Sequence, residues 1–212
     1  MDIEDRAQAY AEADFLDVNE TFVDRLAELA DFSRPALAVD LGTGPADIAL
    51  MVASRASRWR AIGIDMSLPM LHIGQGRRRE SKIQNASLIL ADAKSCPFPD
   101  ATFDVVYSNS LLHHVASPDG LWREIRRIAK PGATIFVRDL FRPHDADAAY
   151  RIVEQYAPFE HALLKEDFYN SLLAAYTAAE VRAQLEASGL GHLTIRIVTD
   201  RHMDIFGTIR GA

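Results

Sequence analysis

The chain has 212 residues, 49% hydrophobic and 25% charged, with a formal net charge of −7: enough bulk for one substantial core, and an acidic balance that argues against a nucleic-acid partner held by phosphate neutralisation. The single cysteine, Cys96, allows neither an internal disulfide nor a cysteine metal cluster, and the acidic N-terminus lacks the pattern of a signal peptide, so a reducing, cytoplasmic setting is expected. No apolar run approaches the roughly 20 residues that cross a bilayer, so no membrane partner is expected either.

Residues 1–33 carry Phe15, Leu16, Val18, Phe22, Val23, Leu26 and Leu29 at near-helical spacing and read as an N-terminal helical segment, with Tyr10 and Phe15 as candidates for a lid. Residues 36–140 then alternate strand-like and helix-like stretches. The predicted strands are 36–40, 60–64, 87–91, 103–108 and 133–138, with helices near 46–57, 67–82 and 117–130 between them. Ser67 and Ser117 read as N-caps and Gly132 as a stop signal. Residues 143–175 read as a longer helical insertion, followed by a helix at 177–188 that Gly189 ends and by strands near 193–199 and 203–210 that pair as a hairpin. Strand–helix alternation with right-handed crossovers gives a doubly wound sheet. The expected fold is a single α/β domain over 1–212, Rossmann-like, with a mostly parallel seven-stranded sheet, a C-terminal antiparallel hairpin and helices on both faces.

In such a sheet, ligands bind beyond the carboxyl ends of the strands. The first strand ends in Asp40, Gly42 and Gly44; the second in Asp65 and Met66; the third in Asp92 and Ala93; the fourth in Ser108, Asn109, His113 and His114. One such acid is commonly a cap or turn former, but carboxylates at three successive strand ends point to a ligand site. A dinucleotide would want a third glycine where Asp47 stands, and a carboxylate there repels a pyrophosphate. S-adenosylmethionine carries no phosphate, but an ammonium and a sulfonium, and suits the acids.

Val39-Asp40-Leu41-Gly42-Thr43-Gly44 and Gly63-Ile64-Asp65-Met66-Ser67 resemble the first two motifs of the class I S-adenosylmethionine-dependent methyltransferases, in their small-molecule, "methyltransferase 11"-type branch. Ala91-Asp92-Ala93 with the Pro97–Asp104 stretch, Leu111-Leu112-His113-His114-Val115, and Arg127–Gly132 continue the likeness over roughly residues 36–140. One departure is Ala46, which stands where the family usually has a third glycine. The resemblance implies S-adenosyl-L-methionine as cofactor. Asp40 would lie near its ammonium, Gly42 and Gly44 beneath its amino-acid end, and Asp65 on both ribose hydroxyls. Met66 would lie on the adenine face, Asp92 and the Ala93 backbone at the adenine edge, and Asn109 or Ser108 beside the methionine portion.

The activity implied is in-line transfer of a methyl group to a small organic acceptor, achieved mainly by positioning. His113 or His114 would act as a base if the acceptor arrives protonated. His202, counted with His113 and His114 among the catalytic candidates, is expected on the acceptor side with Arg138, Asp139, Arg142, Asp200 and Arg201, and the 143–175 insertion is expected to set specificity. Arg77-Arg78-Arg79 reads as a solvated helix end. The alternative is a catalytically silent module that binds S-adenosylmethionine or S-adenosylhomocysteine as a regulator. No metal site is expected.

Overall fold

The computed structural model describes residues 16–158 and 160–210; Tyr10 and Phe15, the lid candidates, lie outside them. The elements in chain order are α1 (Leu16–Leu29), β1 (Ala36–Leu41), α2 (Asp47–Arg55), β2 (Trp59–Asp65), α3 (Leu68–Glu80), β3 (Ala86–Leu90) and β4 (Phe103–Asn109). After a 3-10 turn at Leu112–His114 come α4 (Asp119–Ile128), β5 (Ala129–Leu140), α5 (Ala146–Tyr156), α6 (Ala162–Ala174), α7 (Ala178–Ala187), β6 (Thr194–Ile197) and β7 (His202–Thr208). The seven strands run in the order β3-β2-β1-β4-β5-β7-β6. β1 pairs with β2 and with β4 in parallel, and β7 runs antiparallel to both β5 and β6. The order reverses between β1 and β4, so the loops leaving those two strands diverge and open a crevice. This is the doubly wound sheet with a C-terminal hairpin that strand–helix alternation predicts.

Strand alternation sends successive side chains to opposite faces. On one face Ala38, Val105, Tyr107 and Phe136 meet Phe22, Val23 and Leu26 of α1 and Ile48 and Val52 of α2. On the other, Val39, Leu41, Val106, Ile135 and Val137 meet Leu121, Trp122 and Ile125 of α4 and Val181 and Leu185 of α7. Full burial of a large aliphatic or aromatic side chain contributes about 1.5–3 kcal/mol, and these two layers hold the strand ends in place. No helix of the described residues is long and apolar enough to cross a membrane.

Local chemistry sets the boundaries. Ser67 caps α3, accepting the Met70 N–H, and Thr177 and Glu180 form a capping box at α7. Ser117 does not cap α4. The N-cap there is Pro118, with no side-chain hydrogen bond. Gly132 does not stop a helix either. α4 ends at Ile128, and Gly132, with φ 81°, sits inside a bulge of β5. The helical insertion divides into α5 and α6 at residues 157–161, where Pro158 offers no N–H and disfavours helix in the residue before it. Arg77 pairs with Asp47, and Arg78 donates to the Ala86 carbonyl, so the arginine run fastens α3 to its neighbours rather than standing free in solvent.

Candidate active site

The loop after β1 turns through left-handed conformations at Gly42 (φ 74°) and Gly44 (φ 53°). The two glycines serve different ends. A Cβ on Gly42 would lie 2.8 Å from Leu111 Cδ1, so the neighbouring loop fills that space, whereas a Cβ on Gly44 would meet nothing within 4 Å. Open space beside bare backbone is what close approach of a ligand requires. Ala46, at the third glycine position of the family, is also left-handed, with φ 67°. That conformation costs an L-residue about 1–2 kcal/mol, which is the physical reason for a glycine there.

Asp40 is 2% exposed, and one of its oxygens accepts the Thr43 hydroxyl at 2.8 Å. Burial pushes its pKa up to about 7, against the Thr43 hydrogen bond and with some help from the Asp65 charge. The Asp65 carboxylate accepts the Gly44 N–H with one oxygen and the Ser67 N–H with the other, both at 2.8 Å. A carboxylate has about four lone-pair sites, so two are left for a pair of hydroxyls. Met66, Leu68 and Leu90 are exposed apolar side chains at the ends of β2 and β3. Asp92 binds the Lys94 backbone and ammonium with one oxygen; partial burial works against its ionised form, but these bonds outweigh it and lower the pKa. Ala93 is buried beside it. A cavity of about 50 Å³ is lined by Asp40, Gly42, Thr43, Gly44, Pro45, Asp47 and Ile48, with Asn109 from β4 and Asn19 from α1. Ser108 is spent elsewhere: its hydroxyl donates to the Leu41 carbonyl at 2.7 Å.

Beyond β4 the two imidazoles sit in the 3-10 turn with ring centroids 4.0 Å apart. His113 is buried, with Nδ1 2.7 Å from Asp139, and the second Asp139 oxygen accepts the Leu112 N–H at 2.6 Å. Asp139 itself is fully buried at the end of β5. His114 is exposed. Desolvation and then the His113 ring lower its pKa, while Asp139, Asp167 of α6 and Asp65 act in the opposite direction. α6 packs against this turn, and the Tyr176 hydroxyl closes its far end by donating to the Val115 carbonyl at 2.6 Å.

The remaining acceptor-side candidates are largely committed. Arg138 points to the α1 face, where Nε and Nη2 hold both oxygens of buried Asp204 at 2.7 and 2.9 Å. It shares that face with Phe136, two residues back in β5, so it does not reach the expected acceptor side. Arg142 pairs with Glu180, Asp200 accepts the Tyr156 hydroxyl, and Arg201 lies 3.3 Å over the Tyr156 ring centroid. His202 is 9% exposed, with Nδ1 3.3 Å from the Thr199 hydroxyl. Burial, then the charges of Arg201 and Arg138, pushes its pKa down to about 4.

Three side chains of the site take roles that the sequence reading did not give them. Asp139 lies 26 residues from the histidine it holds, and Thr43 acts through Asp40. Asn19 did leave a trace, since a polar residue there interrupts the spacing that puts Phe22, Leu26 and Leu29 on one face of α1. The loop before β4 is tied down by Arg127, which binds Glu124, Asp100 and the Phe98 and Cys96 carbonyls.

An S-adenosyl sulfonium fits these groups: the crevice offers open backbone at Gly44, acids at three strand ends, and no cation among the described residues lining the cavity. Residues 39–137 match the family model described as a methyltransferase domain. A demethylmenaquinone methyltransferase from Thermus thermophilus is 31% identical over 175 residues, covering 78% of this chain and 79% of that protein. The sterol 4-C-methyltransferase strm-1 of Caenorhabditis elegans is 26% identical over 76% of this chain, which spans only 46% of that longer protein. Among solved structures, an S-adenosylmethionine-dependent methyltransferase from Aquifex aeolicus superposes with a TM-score of 0.73 at 16% identity, over 99% of this chain and 100% of that one. The chain belongs to the class I S-adenosylmethionine-dependent methyltransferases. It is a methyltransferase enzyme, and S-adenosyl-L-methionine is its cofactor.

Proposed function

We propose that the protein methylates a small organic acceptor lodged between the 3-10 turn and α6, and that an imidazole of that turn takes the acceptor's proton. The bound cofactor supplies a methyl group on an electrophilic sulfonium. The chain's own residues then bind, orient and exclude water. Gly44 leaves the floor of the groove open and Gly42 lets the Leu111 loop pack behind it, Asp40 meets the ammonium, and Asp65 takes the ribose hydroxyls. Met66 with Asp92 and the Ala93 backbone bounds the adenine. The observation that carries the acceptor side is the His113–His114 turn, held by buried Asp139 and covered by α6.

His114 is the exposed imidazole of the pair, and its lowered pKa leaves it unprotonated at neutral pH, ready to accept a proton. The Asp139 carboxylate, 2.7 Å from His113 Nδ1, fixes the orientation of that ring. His202, neutral at the hairpin turn, is read as a wall of the acceptor side. The insertion formed by α5 and α6 sets the acceptor's shape. The name of the Thermus relative makes a demethylated naphthoquinol the first acceptor to try, and the net charge of −7 favours a small acceptor over nucleic acid.

Incubation with S-adenosylmethionine and a reduced naphthoquinol lacking its ring methyl should yield a methylated product and S-adenosylhomocysteine. Binding of S-adenosylhomocysteine with no methyl transfer to quinols, phenols, sterols or amines would overturn the proposal in favour of a silent binding module.

A further inference from the structure

Two neighbours orient α6. Towards α5, Lys165 reaches Glu154, and Phe168, Tyr169 and Leu172 pack with Ala149, Ile152 and Val153. At 3.6 residues per turn, that seam leaves Leu164, Asp167 and Ser171 together on the adjoining flank. All three are half-buried, while Glu166 and Asn170 stand in solvent. The other neighbour is the 3-10 turn, against which α6 packs. The Asp167 charge bears on the His114 ring there, so this flank is the one turned to the histidines.

An acid on the solvent side of a helix costs little, as at Glu166. Asp167 stands instead on a partly desolvated side, where a carboxylate is costly unless a donor meets it. Among the described residues none does: the Asp167 carboxylate makes no hydrogen bond and no ion pair. Lys165, close to it in the chain, is turned away to Glu154. The charged and titratable groups that face His114 are His113 beside it, Asp139 from β5, Asp65 from β2 and Asp167 from α6. Asp139 is occupied by His113 and the Leu112 N–H, and Asp65 by the Gly44 and Ser67 N–H groups. Only Asp167 has both oxygens uncommitted.

From this placement we infer that Asp167 is a specificity residue of the acceptor site, accepting a hydrogen bond from a hydroxyl or ammonium that the acceptor carries away from its reacting group. Leu164 beside it offers an apolar contact. The site therefore takes neutral or cationic acceptors with a second donor and turns away those with a carboxylate at that place. The inference rests on the proposed seat of the acceptor between the 3-10 turn and α6.

Anaerobic calorimetric titration of the protein saturated with S-adenosylhomocysteine tests this with three probes that share one hydroxyl. 1,4-Dihydroxynaphthalene adds a second donor, 4-methoxy-1-naphthol has none, and 4-hydroxy-1-naphthoate places an anion there. The wild type should bind the diol about tenfold or more tighter than the ether, as expected for one hydrogen bond to a charged group, and the carboxylate most weakly. Asp167→Ala should bring the diol down to the affinity of the ether, leave the ether within about twofold, and strengthen the carboxylate. Asp167→Asn keeps an acceptor oxygen and should hold the diol above the ether. In the same variant the His114 imidazole, followed by NMR, should titrate at lower pH than in the wild type, a shift that a merely structural role would not produce. Equal affinity for diol and ether in the wild type would overturn the inference. So would an equal loss of both in Asp167→Ala, an unmoved His114 titration, or no binding of any probe. Methyl transfer to the diol with an affinity order unchanged by Asp167→Ala would remove Asp167 and leave the proposed function standing. The expected order without methyl transfer would support the role of Asp167 and remove the proposed function.

Discussion

Gly44 and Asp65 are joined by a hydrogen bond of 2.8 Å from the loop N–H to the carboxylate. They lie 21 residues apart in the chain, at the ends of adjacent parallel strands. The acid proposed to take the ribose hydroxyls is therefore also the brace that fixes the glycine loop, so in this proposal shape and recognition in the crevice depend on one side chain.

Replacing Asp65 should for that reason cost more than a ribose contact. Asp65→Ala leaves the Gly44 and Ser67 N–H groups without their acceptor as well as the ribose hydroxyls. The affinity for S-adenosylhomocysteine should fall by about 1–3 kcal/mol or more, with a lowered melting temperature in the cofactor-free protein. Titration calorimetry and a thermal melt read the two effects separately.

Asp40 should make the cofactor-free protein less stable as pH rises. Its folded pKa of about 7 stands above the ordinary 3.8, so between those values the unfolded chain is ionised while the folded protein keeps its proton. Stability is then lost as pH climbs from 3.8 to about 7 and stays lost above. Asp40→Asn keeps an acceptor for Thr43 and removes the buried charge. It should stabilise the cofactor-free protein near pH 8 by a few kcal/mol, roughly 2–4, with little gain near pH 4. The same variant should weaken S-adenosylhomocysteine, whose affinity for the wild type should fall below about pH 7 as Asp40 takes up its proton. Denaturant melts and calorimetry at the two pH values check both signs.

His202 gives the opposite slope. Its folded pKa of about 4 lies below the ordinary 6.5, so the unfolded chain takes up a proton first as the solution is acidified. Stability present above pH 6.5 is lost as pH falls towards 4. His202→Gln should flatten the acid side of the pH–stability curve, which urea titrations across that range would reveal.

Gly63 supports the site from behind Thr43. A Cβ there would lie 2.6 Å from the Thr43 hydroxyl oxygen and 2.9 Å from Leu88 Cδ2. Gly63→Ala must push Thr43 away from Asp40. A stability loss of about 1–3 kcal/mol should come with weaker S-adenosylhomocysteine binding, whereas Gly76→Ala, inside α3 with open space around its position, should leave binding unchanged and raise stability by about 0.5–1 kcal/mol.

What the sequence made legible was whatever depends on local period and on residues close together in the chain. The strand ends at Asp40, Asp65 and Asn109 follow from short apolar runs stopped by polar residues, and the Ser67 cap from a hydroxyl before a helix. Ser117 was misleading because the Pro118 that follows is itself the residue at the helix entrance. The side of Arg138 follows from counting by two from Phe136, but its partner Asp204 lies 66 residues away on a strand that pairs only in the fold. Asp139 and His113 are likewise brought together by the register of β4 and β5, which no local pattern encodes. Asn19 is the middle case: its polar break in an apolar stripe was readable, while the cavity it faces was not.

The most direct measurement is the transfer of a trideuterated methyl group from labelled S-adenosylmethionine to a demethylated naphthoquinol, followed by mass spectrometry across pH with wild type and His114→Asn. The wild type should yield labelled product, with kcat/KM for the acceptor falling as pH drops below 6.5, the ordinary histidine value from which His114 is lowered. In His114→Asn the rate should be reduced on the order of 10²–10⁴-fold, that acid limb should vanish, and S-adenosylhomocysteine affinity should stay at the wild-type level. Undiminished turnover in the variant would contradict a proton-accepting turn beneath α6, and the absence of labelled product from the wild type would contradict the acceptor.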